Sequence, residues 1–228
     1  MAIVLTPTVN TTQSILFDDM VDDIAPYVPA CPDPVIARTA HKVISDMCQR
    51  AKVWHEDFLP VDIKVGQVAY PLLPPVANAV CTDVTSAYTL IGGRKTVLTW
   101  EKLTAVKQRF ADWPEGSSGS PRHITSATLG EVLLAPVPDA VGTLNLRGYL
   151  RPSATATGWD LDLYNEFQRV IFHGTMYDLM LMNGRAWAEP KLAALHGKHW
   201  TQLLASARDR ALRGYNTDDL AVQMQPFA

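Results

Sequence analysis

Residues Leu163, Phe167, Val170, Gly174, Tyr177 and Leu181 recur at alternating steps of four and three, which traces one face of an α-helix. Leu161, Ile171, Phe172, Met176, Met180 and Met182 fill most of the remaining faces, and a helix apolar nearly all round is a buried one. Asp160 or Asp162 can cap its N-terminus, and Asn183-Gly184 offers a left-handed stop. A second helix is predicted from Pro190, with Leu192, Leu195, Trp200, Leu203, Ala207 and Ala211 on its core-facing stripe. It runs to Gly214, with Arg208, Arg210 and Arg213 at the negative end of its dipole. The pair reads as antiparallel.

The N-terminal part carries the same period. Residues 1–13 read as an extended arm broken by Thr, Pro and Asn. Ile15, Leu16, Met20 and Ile24 then mark a short helix between Ser14 and Tyr27 whose other face holds Asp18, Asp19, Asp22 and Asp23. After a proline-punctuated connection, a longer helix is expected from Val35 to about His55, with Asp33 as cap. Its stripe is Ile36, Ala40, Val43, Met47, Ala51 and Trp54.

Between these helices the period changes to two. Val61–Val65, Val68–Leu72, Val84–Ile91, Thr96–Trp100, His123–Thr128, Glu131–Ala135 and Thr143–Leu150 read as strands, with a hairpin at Gly92-Gly93 and a short surface helix over Glu101–Phe110. The fold class is therefore α+β: an antiparallel helical bundle from the N- and C-terminal segments, with an inserted antiparallel β-sandwich or sheet. The expected layout is an arm over 1–13, a helical domain from 14–56 plus 160–214, a β-rich domain over 57–159 and an extended tail over 215–228. In that tail Leu220, Val222, Met224 and Phe227 include alternating apolar positions, of which a solvated tail would have fewer. Two readings stand for it: a strap on its own subunit, or a segment that docks on a neighbour.

The chain has 228 residues, 47% of them hydrophobic and 19% charged, so it can bury a substantial core. A formal net charge of −3 disfavours a general nucleic-acid binder. The three cysteines, Cys31, Cys48 and Cys81, are widely spaced and read as free thiols. The first residues lack the basic start of a secretion signal, and Glu166, Arg169 and Asp178 interrupt the most apolar helix as a membrane span.

Charge is segregated by position. Residues 1–33 hold five Asp and no Lys or Arg. Residues 185–213 hold six Lys or Arg against Glu189 and Asp209. Solvated faces or an intrachain contact would produce this pattern; so would complementary surfaces on neighbouring copies.

Catalytic signatures are weak. Gly93-Arg-Lys-Thr96 lacks the earlier glycine of a phosphate loop and reads as a basic hairpin tip. Gly116–Ser120 has the wrong spacing for a nucleophile elbow. His196 and His199 lie three apart on a helix, but no carboxylate or cysteine at a neighbouring position completes a metal set. His173 reads as a hydrogen-bonded core histidine, Glu115 and Glu131 as surface carboxylates, and the six tryptophans as packing anchors. No catalytic residue, cofactor or metal is assigned.

The order of elements then continues through Pro121-Arg-His-Ile-Thr125, Val132-Leu-Leu-Ala-Pro-Val-Pro-Asp139 and Thr143-Leu-Asn-Leu-Arg-Gly-Tyr-Leu-Arg-Pro152 into the buried helix and the final basic helix. Over roughly residues 14–213 this resembles the head-to-tail adaptor (connector) proteins of tailed bacteriophages, the class that includes tail tubular protein A of short-tailed phages. The resemblance implies a non-enzymatic virion protein of the neck, assembled in the host cytoplasm. It implies a homo-oligomeric ring, commonly twelvefold, below the portal protein. Such a ring extends the DNA channel, helps retain the packaged genome and carries the tail or nozzle proteins. DNA would pass without sequence-specific binding, and no membrane is involved.

On that reading Leu220, Val222, Met224 and Phe227 dock on portal or neighbour, and Asp18, Asp19, Asp22 and Asp23 meet Arg208, Arg210 and Arg213 across ring contacts. Two other classes remain open from the residues: a virion-associated cell-wall hydrolase with carboxylates in the β-region, or a β-module that binds a glycan or receptor.

Overall fold

A computed structural model describes residues 14–116 and 118–213. In chain order the elements are β1 (Ser14–Leu16), α1 (Val21–Ile24), α2 (Asp33–Ala51), β2 (His55–Asp57), β3 (Val61–Ile63), β4 (Ala69–Pro71), β5 (Ala79–Ile91), β6 (Arg94–Val97) and β7 (Thr99–Trp100). There follow α3 (Leu103–Arg109), β8 (Ser118–Gly119), β9 (His123–Thr125), β10 (Glu131–Ala135), β11 (Val137–Pro138), β12 (Gly142–Pro152), β13 (Gly158–Asp160), α4 (Leu161–Met180) and α5 (Pro190–Leu212).

Helices α2, α4 and α5 pack on one another, and α2 also packs on β12. The reason lies in the stripes. On α2, Ile36, Ala40, Val43, Met47 and Ala51 are all buried, as the periodicity requires, joined by Ile44 and Cys48. Trp54 of the same stripe is buried too but lies beyond the helix, which ends at Ala51 and not near His55, because Lys52 turns left-handed and His55 enters a strand. On α4 the buried set is Tyr164, Phe167, Val170, Ile171, Gly174, Thr175, Met176, Leu179 and Met180, so the second half of the helix is enclosed while its first turns expose Asn165, Glu166, Gln168 and Arg169. The Asp160 carboxylate accepts from the Leu163 amide at 2.8 Å, the expected cap.

The centre of the three-helix contact is Gly174. A Cβ there would fall 2.5 Å from Val43 Cγ1 on α2 and 2.7 Å from Trp200 Nε1 on α5, so only a glycine lets the three backbones approach this closely.

The longest pairing in the sheet runs between β12 and β5, from Gly142 opposite Ile91 to Pro152 opposite Ala79, with irregularities at Arg147/Gly148 and Tyr149/Leu150. The full sheet is ordered β2-β12-β5-β6, with β3 also on β12, all antiparallel. The β5–β6 hairpin turns at Gly92 and Gly93, both at positive φ (56° and 76°), the backbone that a two-residue hairpin of this hand demands. A second sheet is ordered β4-β10-β9-β7, with β7 and β9 parallel. Tyr70, Ile124, Val132 and Leu134 from the second sheet belong to the same buried cluster as Leu144, Leu146 and Leu150 from the first and the helical residues above. His41 of α2 donates to the Ser153 carbonyl at 2.9 Å, and Arg151 of β12 donates to the Ser45 hydroxyl at 3.2 Å, so polar contacts also join helix and sheet.

Four further local expectations are corrected. Ser14–Leu16 is not helical: it pairs antiparallel with Gly158–Asp160, and the helix begins only at Val21. The strand partner lies some 140 positions away in sequence, beyond what a local pattern registers. Asp33 does not cap α2 through its side chain; Pro32 occupies the cap position and Asp33 lies in the first turn, where its charge suits the dipole. The α4 helix ends at Met180, before Asn183-Gly184, although Gly184 does adopt positive φ (76°) in the connection. On α5 the inner stripe is Ala193, Leu204 and Ala207 with half-buried Trp200, Leu203 and Ala211, while Leu192 and Leu195 face outward. Small residues face inward there because α5 lies close against α4: a Cβ on Gly197 would meet the Tyr177 ring at 2.8 Å. Among the described residues no helix is long and apolar enough to cross a membrane.

Candidate functional site

The acidic N-terminal residues and the basic end of α5 converge on opposite flanks of the first turns of α4. Asp23, at the end of α1, accepts from the Tyr164 hydroxyl at 2.6 Å and from Gln168 Nε2 at 3.0 Å. Burial first, and the neighbouring Asp23 carboxylate second, push the Tyr164 phenol up to about 12. Across the helix, Arg210 of α5 forms an ion pair with Glu166. Thus Asp23 and Arg210, two of the seven predicted ring-contact residues, are engaged within their own chain by α4. Asp18, Asp19, Asp22, Arg208 and Arg213 are all exposed; Asp19 also accepts from the Leu16 amide at 3.3 Å. The structure therefore brings the two charged segments to the first turns of α4, one on each flank. The polar face of α4 that links them (Tyr164, Glu166, Gln168) carried no signal in the apolar period.

Higher on the α4–α5 contact, three imidazoles meet. His173 and His196 share a hydrogen bond between their Nδ1 atoms at 2.9 Å, and the His199 ring centroid lies 5.1 Å from that of His173. Burial lowers both His173 and His196; His196, His199 and Arg169 push His173 the same way, and His199 does so for His196. The pair closes on itself. Among the described residues no group of three or more His, Cys, Asp or Glu side chains is arranged to hold a metal ion. His173 is thus hydrogen-bonded, as read from the sequence, but half-buried and not in the core, and its partner is another histidine.

A cavity of about 350 Å³ opens between α1 and α4, with Met20, Ile24, Ile171 and Phe172 on its walls and Tyr27 and Arg169 among its lining residues. Tyr27 and Phe172 meet edge to face at 5.1 Å. Nothing in the sequence pattern pointed to this groove, because its two sides come from segments about 140 residues apart.

The other candidates are dispersed. Glu115 and Glu131 are exposed surface groups. Arg94 and Lys95 follow the Gly92-Gly93 turn, and the Lys95 ammonium lies 4.0 Å from the centre of the Tyr88 ring. Trp54, Trp113 and Trp159 are buried anchors, Trp187 and Trp200 are half-buried, and Trp100 is exposed. Cys31 and Cys48 are buried and Cys81 half-buried, all as free thiols. Leu220, Val222, Met224 and Phe227 lie outside the described residues.

The family model described as SU10 adaptor protein matches residues 15–224. The chain belongs to the SU10 adaptor family. The match takes in both charged segments, the whole β-rich middle and the helix pair, and it continues past Arg213 as far as Met224. Membership supports the coarser part of the resemblance noted above, a structural adaptor of a bacteriophage particle. No curated protein matches this chain.

Proposed function

We propose that this protein is a head-to-tail adaptor of a tailed phage, similar in role to tail tubular protein A. It forms a ring, twelvefold by analogy with such connectors, on the lower face of the portal. There it extends the DNA channel, helps hold the packaged genome and offers the platform on which tail or nozzle proteins assemble. The observation that carries this reading is the family match over residues 15–224.

Physical considerations support it. A closed ring needs two different, complementary faces on each subunit. The exposed Asp18, Asp19 and Asp22 and the exposed Arg208 and Arg213 are candidates for those faces; Asp23 and Arg210 serve to set the position of α1 and α5 against α4. A net charge of −3 suits a channel through which DNA slides without tight binding. The apolar positions Leu220, Val222, Met224 and Phe227 are assigned to docking on the portal or a neighbouring subunit.

The test is the mass of the purified protein, alone and mixed with portal rings from the same phage. Joining the portal in a fixed multiple of the subunit supports the adaptor. A small closed oligomer that ignores portal overturns it and directs attention to the β-sheets as a binding module.

A further inference from the structure

We infer that the groove between α1 and α4 is the docking site for the chain's own C-terminal segment, residues 214–228, in the free subunit. This concerns the unassembled chain and holds or fails independently of the adaptor reading.

The geometry leads the chain there. Helix α5 runs antiparallel along α4: the Glu189 amide donates to the Met180 carbonyl at 3.1 Å, His196 meets His173, and Arg210 meets Glu166. The described chain therefore ends, at Arg213, beside the first turns of α4, whose residues Tyr164, Gln168 and Arg169 line the groove. Helix α5 lies behind that wall, with the His196 ring 5.9 Å from the ring of Phe172. Fifteen residues follow Arg213. At about 3.3 Å per extended residue they reach tens of ångströms, far more than the step from α5 across one helix.

The chemistry is complementary. Met20, Ile24, Ile171 and Phe172 offer an apolar floor, and the exposed Tyr27 ring, 60% accessible, has a face left to cover. The tail supplies Leu220, Val222, Met224 and Phe227. Asp218 and Asp219, just before the first of these, carry the charge opposite to Arg169 at the rim, while the other charged lining residue, Asp23, is held by Tyr164 and Gln168. A cavity of about 350 Å³ holds more than one large side chain. The family match, which continues to residue 224, places most of this segment within the shared unit rather than in a variable extension. The consequence is that the apolar tail residues are withheld in the free subunit and become available only when a partner displaces them.

Hydrogen–deuterium exchange on the full-length protein, at concentrations where its mass is that of one chain, tests this. The comparison variant is Leu220→Asp/Met224→Asp/Phe227→Asp, together with the groove-side variant Arg169→Glu. The expected result is protection of the 220–227 amides in the parent and a loss of about tenfold or more in the triple variant. Segments 20–27 and 164–173 should also exchange faster in that variant, and Arg169→Glu should reduce tail protection alone. Parent tail amides exchanging at the rate of a free peptide overturn the proposal. Protection that appears only as concentration rises overturns it too, because the occupant is then the tail of a second copy.

Discussion

Trp200 of α5 lies against the bare Cα of Gly174 in α4, so near that a Cβ on Gly174 would fall 2.7 Å from the indole Nε1. On the other side Val43 of α2 closes to 2.5 Å from the same point. Neither neighbour is the loose end of a flexible side chain. Gly174→Val is therefore expected to destabilise the protein by about 2–3 kcal/mol, the cost of overpacking a filled core, despite the better helix propensity of valine. The urea midpoint measures it. An unchanged midpoint would mean that the three helices are not packed as described.

The Tyr164–Asp23 hydrogen bond predicts an alkaline signature. The folded phenol titrates near 12, above the ordinary value of 10. In the window between those values the unfolded chain has released a proton that the folded chain still holds, so stability is intact below 10 and falls as pH rises through it. Tyr164→Phe should remove that part of the alkaline loss and cost about 1 kcal/mol at neutral pH through the lost hydrogen bond. Denaturant midpoints at neutral and alkaline pH, parent against variant, check both effects.

The paired imidazoles of His173 and His196 predict the opposite dependence at the acid side. Both groups are held below the ordinary histidine value of 6.5, by burial first. As pH falls through 6.5 the unfolded chain takes up protons that the folded chain resists, so stability declines, and the decline continues down to the lowered folded values. His173→Gln/His196→Gln should flatten this part of the profile. An identical acid slope in parent and variant would show that the pair is not the titrating element.

Charge reversal separates the assembly role of the basic end from its packing role. Arg208 and Arg213 are exposed, whereas Arg210 is tied to Glu166. Arg208→Glu/Arg213→Glu should leave the melting temperature near that of the parent and weaken ring formation on portal by roughly three- to tenfold at low salt, since exposed pairs contribute about 0.2–1 kcal/mol each. The difference should shrink as salt screens the contacts. Equal assembly at low salt would remove these arginines from the interface.

The thiols provide a check on burial. Cys48 is fully enclosed and pushed far up by burial, and burial raises Cys81 to about 11. A thiol-reactive dye near neutral pH should label the native protein slowly and all three cysteines rapidly once it is unfolded. Fast labelling of Cys48 in the native state would contradict the packing of α2.

Sequence alone determined the identity of the long helices and their approximate positions, though not their C-terminal ends. Their apolar period is strong enough to mark Val43, Met47, Phe167 and Val170 as core, and Asp160 and Pro190 are local start signals that act within one turn. It also determined the β5–β6 hairpin, because two adjacent glycines at positive φ suit only a few turns. Tertiary structure decided the rest. The apolar pattern at Ile15 and Leu16 suits a short helix as well as a strand, and only the distant partner β13 selects the strand. Leu195 and Ala193 both lie on an apolar-rich helix, and the close approach of α4 turns the smaller one inward. The groove between α1 and α4, the Asp23–Tyr164 contact and the His173–His196 pair are all made by residues far apart in the chain. Their proximity is a consequence of the packed core, which no periodicity along one segment can express.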